Sequence, residues 1–427
     1  MFTIWGNRHG FCDGVSRRDF IKVGAFGAGL TLADMLRLQA LAGPNGTTGT
    51  SSRKSAIMIY LGGGPSHMDM YDPKPEAPVE FRGEFKAIQT NVPGVQICEH
   101  FPLQAKMWDK LACMRSLVTV NEHSDVMVMT GTSNRENMTL NNPSFGSVIS
   151  KIRGDSGDTP PFVSLRGSTR GTEPGYLGVA HRPFTPSGPG LNNLRMANGV
   201  TANRLDDRRK LLDSFDTIRR DIDASGAMEG MDSFTTRAFD IVNAGKVRDA
   251  LDRSKFTAEE KERYKGCENF LTARKLVEAG VGCVTLSIGG WDTHSNNFVT
   301  LARQLPVVDR GVANLIQDLH DRGMGDDVIT VMWGEFGRTP KVNARAGRDH
   351  WPAAAGALVA GGGFKMGQAV GATNSRGERP IASPYAPANL LATMYYQMGI
   401  DPAMTFLDGS GRPRHLLDDR RMVTELL

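Results

Sequence analysis

The chain reads as an α/β protein, a three-layer sandwich built on a mostly parallel central sheet, and three observations predict it. Short apolar runs rich in β-branched residues, at 56–61, 282–288 and 328–333, suit strands buried on both faces. Each run breaks off in glycine, at Gly62-Gly63-Gly64, Gly289-Gly290 and Gly334, as a strand does where it enters a loop. Between the later two lies a stretch at 302–322 whose Leu305, Val308, Val312, Leu315, Ile316 and Leu319 keep near a 3.6-residue period, the mark of a helix laid against a sheet.

Composition sets the outer limits. With 427 residues, 40% of them hydrophobic and 22% charged, the chain can bury a large core. A net charge of +4, with acids interspersed among the Arg and Lys residues, argues against nucleic acid as a partner. At the N-terminus, Ser16-Arg17-Arg18-Asp19-Phe20-Ile21-Lys22 resembles the twin-arginine export signal and precedes a mild Gly/Ala-rich segment too short to span a membrane. Ala40-Leu41-Ala42 supplies the small residues a signal peptidase reads. Residues 1–42 are therefore expected to be a signal peptide cleaved after Ala42, with the twin-arginine machinery as partner and a periplasmic or secreted destination. A Gly/Ser/Thr linker at 43–55 follows, and no later stretch is expected to cross a membrane. Outside the signal, Cys98, Cys113, Cys267 and Cys283 permit up to two disulfides, and none has the spacing of a zinc ribbon.

The domain at 56–427 opens with the first strand and a loop holding Ser66, His67, Asp69 and Asp72. A helical pattern at 105–114 and a strand at 117–120 come next. Asn121-Glu122-His123-Ser124-Asp125 then opens a helix closed by Gly131, and Ser124 stands where a helix N-terminus meets an anion or is simply capped. From 155 to about 266 the chain turns Pro/Gly-rich and strongly charged, which reads as an insertion over the sheet. The sheet resumes at 282–288 and exits through Trp291-Asp292-Thr293-His294. After the helix at 302–322 comes the strand at 328–333, then Gly334-Glu335-Phe336-Gly337-Arg338-Thr339-Pro340 and Asp349-His350-Trp351. A buried strand at 357–360 and a helix at 386–398 close the domain.

Acid and imidazole thus recur at three strand ends: His67 with Asp69, Asp292 with His294, and Glu335 with nearby Asp349 and His350. Taken singly, Glu335 and Arg338 make a loop salt bridge and His350 a packed histidine. Strand ends of an open α/β sheet meet along one edge, so taken together these residues point to a divalent metal, with His123 as a fourth imidazole candidate. Mixed nitrogen and carboxylate ligands favour zinc or manganese over calcium.

Through Gly62-Gly63-Gly64-Pro65-Ser66-His67, Trp291-Asp292-Thr293-His294, Gly334-Glu335-Phe336-Gly337-Arg338-Thr339-Pro340 and Asp349-His350-Trp351 the chain resembles the exported family catalogued as domain of unknown function 1501. That family is in turn similar to the alkaline phosphatase and sulfatase superfamily. The resemblance implies an alkaline phosphatase-like fold and an exported metal-dependent hydrolase of phosphate or sulfate esters. In it Asp292, His294 and His350 would hold an ion, while Glu335, His67 and Asp69 would line a second position. Ser124, Arg338 and Glu335 would serve the chemistry, Arg338 by pairing with the anionic group. The chain departs from the superfamily where Gly62-Gly63 replaces the metal-binding Asp and where no Cys-x-Pro-x-Arg occurs. Those departures support an alternative, a non-catalytic envelope protein whose degenerate cleft binds an anionic polysaccharide.

Overall fold

The structure, a computed structural model, describes residues 54–154, 159–186 and 245–427. The expected signal peptide, nearly all of the linker and most of the expected insertion lie outside the described residues. Nine strands and six helices position the site. The strands are β1 (Ser55–Leu61), β2 (Leu111–Leu117), β3 (Phe162–Ser164), β4 (Cys283–Ile288), β5 (Val328–Trp333), β6 (Gly337–Arg338), β7 (His350–Trp351), β8 (Ala355–Ala360) and β9 (Gln368–Val370). The helices are α1 (Val126–Thr130), α2 (Asn134–Leu140), α3 (Phe145–Arg153), α4 (Glu268–Glu278), α5 (Asn297–Asp321) and α6 (Pro387–Gln397).

Seven strands form one sheet in the order β9-β2-β8-β5-β1-β4-β3. β1 runs through its middle, pairing parallel with β4 and with β5, so that Ile57 lies opposite Val284 on one side and Thr330 on the other. The three runs that predicted the fold are therefore direct neighbours. β8 runs against both β5 and β2, and every other pairing in the sheet is parallel.

Alternation along β1 divides the core between the two faces. Ile57, Ile59 and Leu61 pack with Phe270, Leu271 and Leu276 of α4 and with Leu305, Val308, Val312 and Leu315 of α5. Ala56, Met58 and Tyr60 pack on the other face with Val128 and Met129 of α1, Phe145 and Val148 of α3, and Leu390, Leu391 and Met394 of α6. This is the expected three-layer sandwich. Among the described residues no helix is long and apolar enough to cross a membrane.

Local signals set several boundaries. Ser144 accepts a hydrogen bond from the Ser147 amide and starts α3, and Gly131 ends α1 in the left-handed region at φ 78°. Three expectations fail, one being the strand expected at 117–120, which ends at Leu117. α5 begins at Asn297 rather than 302, because Asn297, Phe298 and Leu301 extend its buried face. The helix expected at 105–114 gives way to the strand at Leu111–Leu117, since that segment fills the gap between β8 and β9 and its pairing there outweighs its local preference. In the described parts of 155–266, Phe162–Ser164 adds an edge strand beside β4, and Val247 and Tyr264 enter the core. Cys98, Cys113, Cys267 and Cys283 are all buried free thiols, so neither of the two permitted disulfides forms among them.

Because Ile57 is fully enclosed at the centre of the sheet, Ile57→Ala is expected to cost about 2–5 kcal/mol, which urea unfolding followed by circular dichroism would measure.

Candidate metal centre

Parallel β1, β2, β4 and β5 all end on one edge of the sheet, and antiparallel β8 begins there. The loop after β2 carries His123, the loop after β4 carries Asp292 and His294, and the segment entering β8 carries His350. Their side chains meet. His350 Nε2 lies 3.0 Å from His123 Nε2, 3.1 Å from His294 Nε2 and 3.3 Å from Asp292 Oδ1. His294 Nε2 lies 3.0 Å from Asp292 Oδ1, and His123 Nε2 lies 3.7 Å from Asp292 Oδ2. Donors bound at about 2.0–2.1 Å to a tetrahedral ion stand roughly 3.3 Å apart, so this is the spacing of ligands around one centre.

The far side of each ring shows which nitrogen faces inward. His294 Nδ1 lies 2.6 Å from Asp349 Oδ1, His350 Nδ1 lies 2.9 Å from Asn121 Oδ1, and His123 Nδ1 lies 3.3 Å from Glu335 Oε1. Carboxylate and amide oxygens only accept, so each Nδ1 carries the hydrogen, and each ring in its neutral form turns a bare Nε2 lone pair into the cluster. Three lone pairs and a carboxylate at 3 Å repel one another unless a cation lies among them. For a proton on His350 the balance is adverse. Burial lowers the pKa of that ring, and Arg338, His123 and His294 add to the effect against the opposing pull of Asp292. Burial would raise the Asp292 carboxyl, but the hydrogen bond and charge of Arg338, helped by His350 and His294, hold it below the usual range. Donor type, spacing and outer hydrogen bonds thus fit a divalent ion held by three imidazoles and one carboxylate. The cluster is open on one side: the side chains of His123 and Asp292 are 47% exposed, whereas that of His350 is 21% exposed.

Backbone geometry brings the loops this close. Gly63 and Gly64 have φ of 114° and 74°, and a Cβ on Gly63 would stand 2.6 Å from the Asp292 amide. Phe336, fully buried, packs its ring 4.5 Å from that of His350 and 5.1 Å from that of His123, and supports both.

Other expected site residues are placed elsewhere. Asp69 is buried in a two-pronged ion pair with Arg348, at 2.8 and 2.9 Å, and accepts from Asn297 Nδ2, apart from the cluster. His67 is buried with Nε2 2.8 Å from the Gly377 carbonyl, and burial lowers its pKa. Glu335 forms no salt bridge with Arg338; one of its oxygens accepts from the Gly63 amide at 2.9 Å and faces His123, behind the cluster rather than in it. Arg338 is fully buried. Its guanidinium donates to the carbonyls of Gly63, Gly64 and Arg348 and to Asp292. The Ser124 hydroxyl accepts from the Val126 amide at 3.2 Å, a turn into α1. His123, left out of the expected ligand set, completes the cluster; its place in a loop at the same edge of the sheet is the signal it shares with the other three. Asp349 follows the same pattern, since its partner is His294 across the loop rather than the adjacent His350.

A family model described as a protein of unknown function, DUF1501, matches residues 53–427, and the chain belongs to that family. No curated protein matches it. Solved structures give looser likenesses. The lipoteichoic acid synthase LtaP from Listeria monocytogenes is 12% identical with a TM-score of 0.33, over 83% of this chain and 74% of the other. The sulfatase PsFucS1 from Pseudoalteromonas sp. is 11% identical with a TM-score of 0.36, over 82% and 68%. The phosphonate monoester hydrolase SpPMH from Silicibacter pomeroyi is 11% identical with a TM-score of 0.34, over 83% and 74%. What the cluster does has to be read from its own side chains.

Asp69→Ala would strand the Arg348 guanidinium without its carboxylate and is expected to cost about 3–5 kcal/mol. Calorimetric melting checks the loss, and full metal content in the protein that remains folded would confirm that Asp69 is no ligand.

Proposed function

We propose that this chain is an exported hydrolase of phosphate or sulfate esters that depends on one divalent metal, zinc or manganese ahead of calcium. One observation carries the reading: three Nε2 lone pairs and the Asp292 carboxylate converge, with every Nδ1 turned to an acceptor. Export rests on the twin-arginine resemblance at Arg17-Arg18, and the ester class on the likeness of the sequence to the alkaline phosphatase and sulfatase superfamily.

When bound, such an ion supplies a Lewis acid that polarises an ester oxygen and acidifies a water. The chain's own residues do the rest. His123, His294, His350 and Asp292 hold the ion, and Asp349, Asn121 and Glu335 aim the three rings. Arg338 neutralises part of the charge on Asp292. The open side admits the ester, and exposed Arg345, which after the His294 hydrogen bond adds to the lowering of the Asp349 carboxyl, is a cation placed to draw an anionic group toward it.

A second reading, an envelope protein that binds anionic polysaccharide through the ion without turnover, is favoured by the commitment of both Ser124 and Arg338 to structural hydrogen bonds. Aryl phosphates and aryl sulfates assayed with Zn²⁺, Mn²⁺ and Ca²⁺ separate the two: metal-dependent turnover supports the hydrolase, and binding without turnover supports the alternative.

His350→Ala removes the imidazole at the centre of the cluster and is expected to abolish most metal occupancy while the fold survives; elemental analysis and melting temperature read both. Unchanged metal content with a lowered melting temperature would make His350 a packed histidine and end the assignment. In the hydrolase, Arg345→Ala is expected to raise KM several-fold with a smaller change in kcat, since a charge on the rim acts on binding more than on the bond-breaking step.

A further inference from the structure

Glu335 follows β5 directly and has only 2% of its surface exposed. A carboxylate removed from water at that level needs partners for its charge. The obvious guanidinium, Arg338, lies three residues on and pairs with Asp292 instead. Glu335 is met by the Gly63 amide at 2.9 Å and by His123 Nδ1 at 3.3 Å, both on Oε1. Its other oxygen, Oε2, is buried without a formed hydrogen bond. Tyr60, on β1, closes this side of the carboxylate. Burial first, and then the charge of Glu335, raise the pKa of its phenol far above the usual value, so its hydroxyl keeps its proton. The Arg166 guanidinium stacks 4.3 Å from the centre of the Tyr60 ring and pairs with Asp125 at 2.9 Å, two residues beyond His123. Glu335 thus braces the His123 ring, and Asp125, two residues on, anchors the same loop through Arg166 and the Gly171 amide.

We propose that Glu335 is the positioning residue of the metal centre: its buried carboxylate holds the hydrogen on His123 Nδ1 and so presents Nε2 to the ion. The inference rests on reading His123 as a ligand. Of the three rings, His123 is the one that needs such a hold. It comes from the loop after β2, on the far side of β8 and β5 from the loop carrying Asp292 and His294, and half of its side chain is exposed. Asp349 and Asn121 do the same for the other two rings from exposed or half-exposed positions, whereas Glu335 does so where no water competes for the hydrogen bond. Its bond to the Gly63 amide also ties the ring to the glycine that lets the Asp292 backbone approach.

Glu335→Gln keeps the size of the side chain and an acceptor for Gly63 but removes the charge. Two measurements follow. Chelator competition with Zn²⁺ is expected to show affinity about 10- to 100-fold weaker than in the unaltered protein. Long-range ¹H–¹⁵N spectra of the metal-free protein are expected to show the His123 ring held as the Nδ1–H tautomer in the unaltered chain and shifted toward Nε2–H in the variant. Unchanged zinc affinity and an unchanged tautomer in a natively folded variant would overturn the proposal. So would weaker zinc binding that tracks a lowered melting temperature of the metal-free protein while the tautomer stays as it was. His350→Ala keeps the two failures apart: if that variant still binds zinc the metal centre itself is wrong, whereas if it loses zinc and Glu335→Gln does not, only the role given to Glu335 falls.

Discussion

Two fully buried arginines hold together the sheet edge that carries the candidate site. Arg338 and Arg348 are each 0% exposed, and between them they bind the loops after β1, β4 and β5. Arg338 spends its donors on the carbonyls of Gly63, Gly64 and Arg348 and on Asp292. Arg348 grips Asp69 with two nitrogens and reaches the carbonyls of Phe81, Thr339 and Pro340. Loops rich in glycine present many backbone carbonyls and few side chains, and a planar group with five donors is the side chain that can satisfy several of them at once. Taking either charge out of water is costly, and full pairing with carboxylate and carbonyl oxygens is what makes it tolerable.

The cluster of His123, Asp292, His294 and His350 depends on that framework. Asp292 is shared between Arg338 and the three rings, so the guanidinium fixes where the carboxylate stands before any ion arrives. The reversal of β8 supplies the other half. Because that strand runs against its neighbours, the segment preceding it lies on the same edge as the segments following β1, β2, β4 and β5, and His350 reaches ligands more than fifty residues away in sequence. Phe336 and the buried Glu335 then give the rings a floor and a hydrogen-bond acceptor in place of water.

Legibility differed by kind of residue. Asp292, His294 and His350 stood out as acid and imidazole at strand ends, and the structure brings them together. His67 and Asp69 carried the same pattern and lie elsewhere, because identical side chains in a strand-end loop can equally close a buried hydrogen bond or ion pair. Arg338 has the chemistry of an anion receptor, and only the structure shows it buried, with four of its five N–H groups given to Gly63, Gly64, Arg348 and Asp292. For His123 the loop was right, but the strand before it was expected several residues too late, and neither of the acids beside it in sequence, Glu122 and Asp125, is the one its ring meets; that partner, Glu335, is more than two hundred residues away.

The central strands β1, β4 and β5, the three-layer packing and the edge where acid and imidazole residues collect followed from the sequence by itself, since hydrophobic periodicity and glycine placement are local properties that each segment carries with it. Which side chains share a centre did not follow. Ligation, charge pairing and the choice of ring nitrogen are fixed by distances of about 3 Å between segments far apart in the chain, and those distances exist only once the sheet has set its register, reversed β8 and buried the two arginines between the loops.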